Sequence, residues 1–216
     1  MFFIYSLIYI LLLPLLILRD LLTLDKNKLK TIQQKLGFNI PNVKNQTIWL
    51  HGVSLGEIKI LSPLAKKLSN QGQNILITST TNTGLEELNK NFSNSDIKIL
   101  PFPYDLEFAH KKIIINFKVS KIILFESEFW PNLLNAAKNL NVVSLNSTIS
   151  DTSFKRFKML KVFSKTLFSK IDLFLAQSKI TIDRLEFFEV KNIKHIGNIK
   201  INPENYSVDQ NRRNHY

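Results

Sequence analysis

Residues 47–57 read TIWLHGVSLGE, and their pattern decides the fold. Ile48 and Leu50 flank Trp49 in an apolar run of strand character. The chain then turns through Gly52, Ser54 and Gly56, and Glu57 arrives where a helical pattern begins. A strand, a small-residue turn and a helix start make half of a nucleotide-fold unit. A glutamate at that place faces the positive end of the helix dipole. Two readings stand side by side: Glu57 stabilises the helix N-terminus, as many glutamates do, or it serves as a general base. The stretch alone leaves both open.

Outward from this unit the same alternation continues. Short β-branched runs at Thr47–Leu50, Asn74–Thr78, Ile97–Leu100, Lys121–Phe125, Val142–Leu145, Leu173–Ala176 and Lys194–Ile196 read as strands. Helical patterns lie between them, near Glu57–Ser69, Gly84–Asn91, Leu106–Phe117, Trp130–Asn139, Asp151–Lys170 and Lys179–Phe188. Strand–helix alternation at this spacing predicts an α/β fold, a Rossmann-like parallel sheet with helices on both faces. In such sheets ligands collect at the carboxyl ends of the strands, and the unusual polar residues fall there. Ser54, Gly56 and Glu57 follow the first strand. After the second comes a hydroxyl-rich turn with Thr80, Thr81, Thr83 and Gly84, whose backbone N–H groups suit an anionic ligand. Glu126 and Glu128 follow the fourth, Asn146 the fifth, Gln177 the sixth, and Gly197-Asn198-Ile199-Lys200 the seventh. Turns are rich in such residues anyway, but jointly they describe a cleft that handles sugar or phosphate.

Composition narrows the partners. The 216 residues suffice for one good core and suggest one or two domains. The absence of cysteine excludes disulfides and thiolate metal sites, and the 4 histidines show no paired ligand spacing, so no metal or other cofactor is expected. A formal charge of +12 and a pI near 9.8 call for a polyanionic neighbour or a membrane surface. Without a nucleic-acid signature, anionic lipid is the better match.

Residues 1–18, MFFIYSLIYILLLPLLIL, carry no charge. The run reaches the lower end of what spans a bilayer and lacks the basic start and cleavage site of a signal peptide. Arg19, Lys26, Lys28, Lys30 and Lys35 follow, with Asp20 and Asp25 opposing, which places this flank on the cytoplasmic side. The expected layout is a membrane anchor over 1–22, spanning or in-plane, a basic linker over 23–46, a Rossmann-like domain over 47–202 and a disordered or truncated tail over 203–216. Residues 154–170 place Phe154, Phe157, Leu160, Phe163 and Leu167 at helical spacing among lysines, which fits a core-facing helix, a lipid-facing basic helix, or both.

Six ordered blocks carry a resemblance: HGVSLGE (51–57), TSTTNTG (78–84), PYDL (103–106), FESEFWPN (125–132), AQS (176–178) and GNIK (197–200). With PLLILR (14–19), they resemble the N-terminal half of bacterial 3-deoxy-D-manno-octulosonic acid (Kdo) transferases. The resemblance implies the N-terminal half of a GT-B glycosyltransferase at the inner face of the bacterial inner membrane. It implies CMP-Kdo as donor and the lipid A precursor lipid IVA as acceptor. By position, Glu57 matches the base that deprotonates the acceptor hydroxyl, while Glu126 and Lys200 match residues that stabilise the transition state. Ser54, Gly56, Thr80, Thr81, Thr83, Gly84, Glu128, Asn146 and Gln177 are the expected substrate contacts. Thr148 stands where relatives carry arginine, and threonine cannot supply that charge. The family's donor-binding C-terminal domain is not matched after Asn202. A non-catalytic, membrane-anchored remnant or acceptor-binding module is therefore the alternative to an enzyme.

Overall fold

In a computed structural model, which describes residues 2–23 and 27–200, seven strands pair in parallel. They are β1 (Thr47–Gly52), β2 (Asn74–Ser79), β3 (Lys98–Pro101), β4 (Val119–Phe125), β5 (Asn141–Ser147), β6 (Leu173–Ala176) and β7 (Ile193–His195). The helices are α1 (Phe2–Thr23), α2 (Lys28–Lys35), α3 (Leu55–Asn70), α4 (Asn82–Phe92), α5 (Glu107–Asn116), α6 (Pro131–Ala136), α7 (Asp151–Met159), α8 (Lys161–Phe168) and α9 (Lys179–Phe187). The expected α/β class and all seven expected strands are present.

Strand period 2 sorts the apolar residues into two cores. Trp49, Leu76, Ile122, Leu124, Val142 and Phe174 face a core shared with α5, α6, α8 and α9. Ile48, Leu50, Ile75, Ile77, Ile123 and Phe125 face the other, closed by Ile58 and Leu61 of α3 and Leu88 and Phe92 of α4. Burial on both faces is what continuous apolar strands require.

The strand order is β3-β2-β1-β4-β5-β6-β7. The chain steps outward from β1 to β3, returns to the other flank of β1, and steps outward again. Helix α3, leaving β1, covers one face, whereas α6, leaving β4, covers the other through Leu133 and Leu134. The carboxyl ends of β1 and β4 thus open a crevice at the switch point, the expected ligand position of such sheets.

Three local readings change. The stretch read as a basic linker contains α2, anchored by buried Ile32 and Lys35. The single helix expected over 151–170 is two, broken at Leu160 (φ −114°, ψ 43°). The break lets Phe157 pack on Phe168 and Phe188 while Phe163 packs on Phe2. Helix α6 is shorter than expected, starting at Pro131, whose fixed φ suits a first helical position. The tail from 203 lies outside the described residues.

Asp105 joins three helices. Its fully buried carboxylate accepts from Tyr5 Oη of α1 at 2.9 Å and from the Asn132 and Leu133 N–H groups at 3.1 and 3.0 Å, capping α6. His110 Nε2 of α5 lies 2.8 Å away, and Asn132 Nδ2 donates to the Asp105 carbonyl at 2.6 Å. The PYDL and WPN blocks are therefore two halves of one structural joint. Asp105→Ala would leave several buried donors without an acceptor. It should cost about 3 kcal/mol or more, since each such donor is worth roughly 1–3 kcal/mol. Urea unfolding should show this as a lower midpoint at unchanged slope, and a loss below about 1 kcal/mol would remove Asp105 from this role.

Candidate active site

Gly52 ends β1 where a side chain would not fit: a Cβ there would meet Leu61 Cδ1 at 2.8 Å and Glu57 Cβ at 3.3 Å. The close approach seats the start of α3 against the sheet. Ser54 caps α3, its Oγ accepting from Glu57 N at 3.3 Å. Glu57 answers with its carboxylate, Oε1 accepting from Ser54 Oγ and Oε2 from Val53 N, both at 2.8 Å. This is a capping box shifted by one residue. A carboxylate has about four lone-pair sites, so two such bonds fix Glu57 while leaving acceptor capacity for a substrate hydroxyl. Both readings of Glu57 are thus compatible in one geometry.

The neighbouring loop is tied to this one. Ser79 Oγ and Thr81 Oγ1 each donate to the Val53 carbonyl at 2.9 Å, and Thr81 also caps α4 by accepting from Gly84 N. Gly84 is required here, because a Cβ would lie 2.1 Å from Ser79 Oγ. Thr81 and Gly84 therefore shape the turn. Thr83 is exposed at the start of α4, and Thr80 Oγ1 is buried without a hydrogen-bond partner among the described residues.

Across the switch point, Glu126 leaves β4 with φ at +60°, and Asn146, next to last in β5, has φ at +56°. Left-handed backbone is uncommon for a non-glycine residue, less so for asparagine than for glutamate. It marks strain held by its surroundings. Glu126 N donates to the Leu145 carbonyl at 2.8 Å, and the β5–β6 register skips Asn146, a bulge that re-aims its side chain. Glu126 Oε1 pairs with Lys200 Nζ at 2.5 Å. Buried Asn146 accepts from Ile199 N at 3.2 Å and reaches Glu126 Oε1 and Asn198 Oδ1, each at 3.4 Å. Two strand ends, those of β4 and β5, and the GNIK turn thereby converge on one carboxylate, with Lys200 half open to solvent.

Glu128 is held differently. It accepts from Trp130 Nε1 at 2.7 Å and lies 3.6 Å from His51 Nε2, a fully buried atom with no hydrogen-bond partner among the described residues. His51 is stacked on Phe102 at 3.7 Å and bound through Nδ1 to Thr78. Its place within HGVSLGE was the available signal for this contact. Gln177 stands farther out, at the end of β6, its N–H bound to the Ser147 carbonyl at 3.1 Å. Gly56 is exposed in the first turn of α3. Thr148 offers its carbonyl to Ser127 Oγ at 2.5 Å, so the backbone there closes the loop after β4. Among the described residues, no cluster of three or more His, Asp or Glu is placed to hold a metal ion.

Residues 30–202 match the family described as 3-Deoxy-D-manno-octulosonic-acid transferase (kdotransferase). The chain belongs to this family. Among its relatives is a bifunctional glycosyltransferase/methyltransferase of Fusobacterium nucleatum, 35% identical over 84% of this chain and 30% of that protein. The 3-deoxy-D-manno-octulosonic acid transferase of Chlamydia pneumoniae is 29% identical over 79% of this chain and 41% of its own length. That of Rickettsia bellii is 27% identical over 88% and 46%. The chain spans less than half the length of these relatives. Among solved structures, a putative UDP-N-acetylglucosamine 2-epimerase from Listeria monocytogenes superposes with a TM-score of 0.54 at 11% identity, covering 74% of this chain and 46% of that one. A second UDP-N-acetylglucosamine 2-epimerase gives 0.52 at 13% identity, covering 72% and 49%. At such identities the likeness is one of fold.

Removal of the Ser54 hydroxyl in this Kdo transferase-family chain deletes both the cap of α3 and one donor to Glu57. Ser54→Ala should lower stability by about 1 kcal/mol, the usual worth of an N-cap. Chemical denaturation measures it, and an unchanged midpoint would contradict the assigned geometry.

Proposed function

We propose that residues 47–202 form the acceptor-side domain of a GT-B glycosyltransferase that moves Kdo from CMP-Kdo to lipid IVA in lipopolysaccharide assembly. One observation carries the reading. The two carboxylates matching the family's functional positions, Glu57 and Glu126, leave adjacent strands at the switch point, and Glu126 is already paired with the third, Lys200. In this reading Glu57 takes the proton of the acceptor hydroxyl as its oxygen bonds to the anomeric carbon of Kdo. The bond from that carbon to the phosphate oxygen breaks, and CMP departs with the electron pair. Glu126 faces the positive charge that develops on the sugar. Lys200 faces the departing phosphate or the Kdo carboxylate. The Glu126–Lys200 pair holds both groups in place before substrate arrives, and an anionic donor draws Lys200 away from it. Gly56, Thr80, Thr83, Glu128, Asn146 and Gln177 are the proposed substrate contacts, while Ser54, Thr81 and Gly84 also set the loop shapes.

Helix α1 is long and apolar enough to cross a membrane, with a mean hydropathy of 2.3. We place it as the anchor to the cytoplasmic face of the inner membrane, where lipid IVA would be met. The excess of basic residues suits anionic lipid there, and nucleic acid is not a proposed partner.

Purified protein joined to a donor-binding C-terminal half of a Kdo transferase, and supplied with CMP-Kdo and lipid IVA, should form Kdo–lipid product. Glu57→Ala should lower the rate by about 10²–10⁴-fold, the usual contribution of a positioned general base. Equal rates for the two proteins, zero included, contradict the catalytic reading. Lipid IVA binding unchanged by the substitution would then favour the non-catalytic acceptor-binding module.

A further inference from the structure

Length does not decide how α1 meets a membrane, since 22 residues at ~1.5 Å each match the thickness of a hydrocarbon core of about 30 Å. Its contacts do. Near its start, Tyr5 Oη donates to Asp105 and Ser6 Oγ to Asn132 Oδ1 at 2.7 Å. Midway, Tyr9, Leu13, Leu16 and Ile17 pack on Tyr104, Leu106 and Ala109. Near its end, Asp20, 2% exposed, accepts from Lys35 Nζ at 2.7 Å and Tyr104 Oη at 2.8 Å. Burial alone would push the Asp20 carboxyl up, but hydrogen bonds from Lys35, Tyr104 and Arg19 outweigh it and hold it below its ordinary value. The domain thus runs along about 22 Å of the helix, counting ~1.5 Å per residue from Tyr5 to Asp20.

The other side of α1 is apolar and open. Phe3, Leu7, Leu11, Leu15, Leu18 and Leu22 repeat every three or four residues, and Phe3, Leu11 and Leu22 are 77%, 71% and 76% exposed. Tyr5, Ser6 and Asp20 therefore face the protein and the apolar row faces outward, the reverse of a soluble surface helix. An exposed apolar row of this extent marks an interaction surface. Beside the start of α1, Phe2 packs on Phe163 at 5.0 Å and lies under Lys170. The adjoining junction of α7 and α8 exposes Met159 and Val162 among Lys155, Arg156, Lys158, Lys161 and Lys165.

From this, and resting on the membrane-anchor reading above, we infer that α1 lies in the plane of the bilayer instead of crossing it. Its leucine row sits at the boundary of headgroups and acyl chains, and the basic α7–α8 junction meets anionic headgroups. A crossing α1 would have to abandon the Asp105 and Lys35 contacts or draw those charges into hydrocarbon.

The chain has no cysteine, so Phe3→Cys, Leu11→Cys and Leu22→Cys each give one labelling site on the exposed row. Each labelled protein is added to phosphatidylcholine vesicles with and without phosphatidylglycerol, followed by flotation and by quenching with nitroxides at fixed lipid depths. Binding promoted by phosphatidylglycerol, with all three labels at one shallow depth, is the expected result. A deep label at Leu11 between shallow ones at Phe3 and Leu22 would establish a crossing helix and overturn the in-plane inference while leaving the anchor. Failure to float with either vesicle would reject the anchor reading itself.

Discussion

The reversal of strand order between β1 and β4 is the constraint on which the rest depends. Because the helices that leave these two strands cover opposite faces, neither closes over the strand ends. The space between them is available without any further device. What lies beside it is fixed by short-range bonds. Glu57 is clamped by Val53 and Ser54 within its own turn, and Val53 in turn is held by Ser79 and Thr81 of the next loop. On the other side, Glu126 and Asn146 occupy left-handed backbone, which for an L-residue costs on the order of 1–2 kcal/mol. The β4–β5 pairing, the bulge at Asn146 and the bond from Ile199 offset that strain. The result is one carboxylate seated in a helix cap and one seated in a strained turn, on adjacent strands.

Much of this was legible in the sequence, for a physical reason. Strands buried on both faces must be apolar throughout, so runs such as IILF at 122–125 stand out, and parallel pairing demands helices between them. The polar residues at strand ends were equally visible, since two acids straight after a buried strand are harder to ascribe to turn composition than one. The pairing of Glu126 with Lys200 was not visible. It joins residues far apart in the chain, and only the positions shared with Kdo transferases suggested that the two act together.

The features that escaped depend on tertiary partners. Helix α2 is polar apart from Leu29 and Ile32, and its stability rests on Lys35 meeting Asp20 from α1. The break at Leu160 preserves the apolar spacing of residues 154–167 on either side, so periodicity could not locate it. The docking of α1 hangs on Tyr5, Ser6 and Asp20, three polar residues inside an apolar helix whose partners lie at Asp105, Asn132 and Lys35. Asp105 entered the sequence reading only as part of the PYDL block. Only the folded chain places it under α6, where PYDL and WPN become a single joint.

The proposed function rests on Glu126 and Lys200 acting as a pair in one site. A double-mutant cycle on the rate of Kdo transfer, using Glu126→Gln, Lys200→Met and the two combined, tests it most directly. Strong non-additivity is the expected result, with the double variant about as slow as the slower single one. Losses that add to within about 0.5 kcal/mol would mean independent groups, and would contradict it.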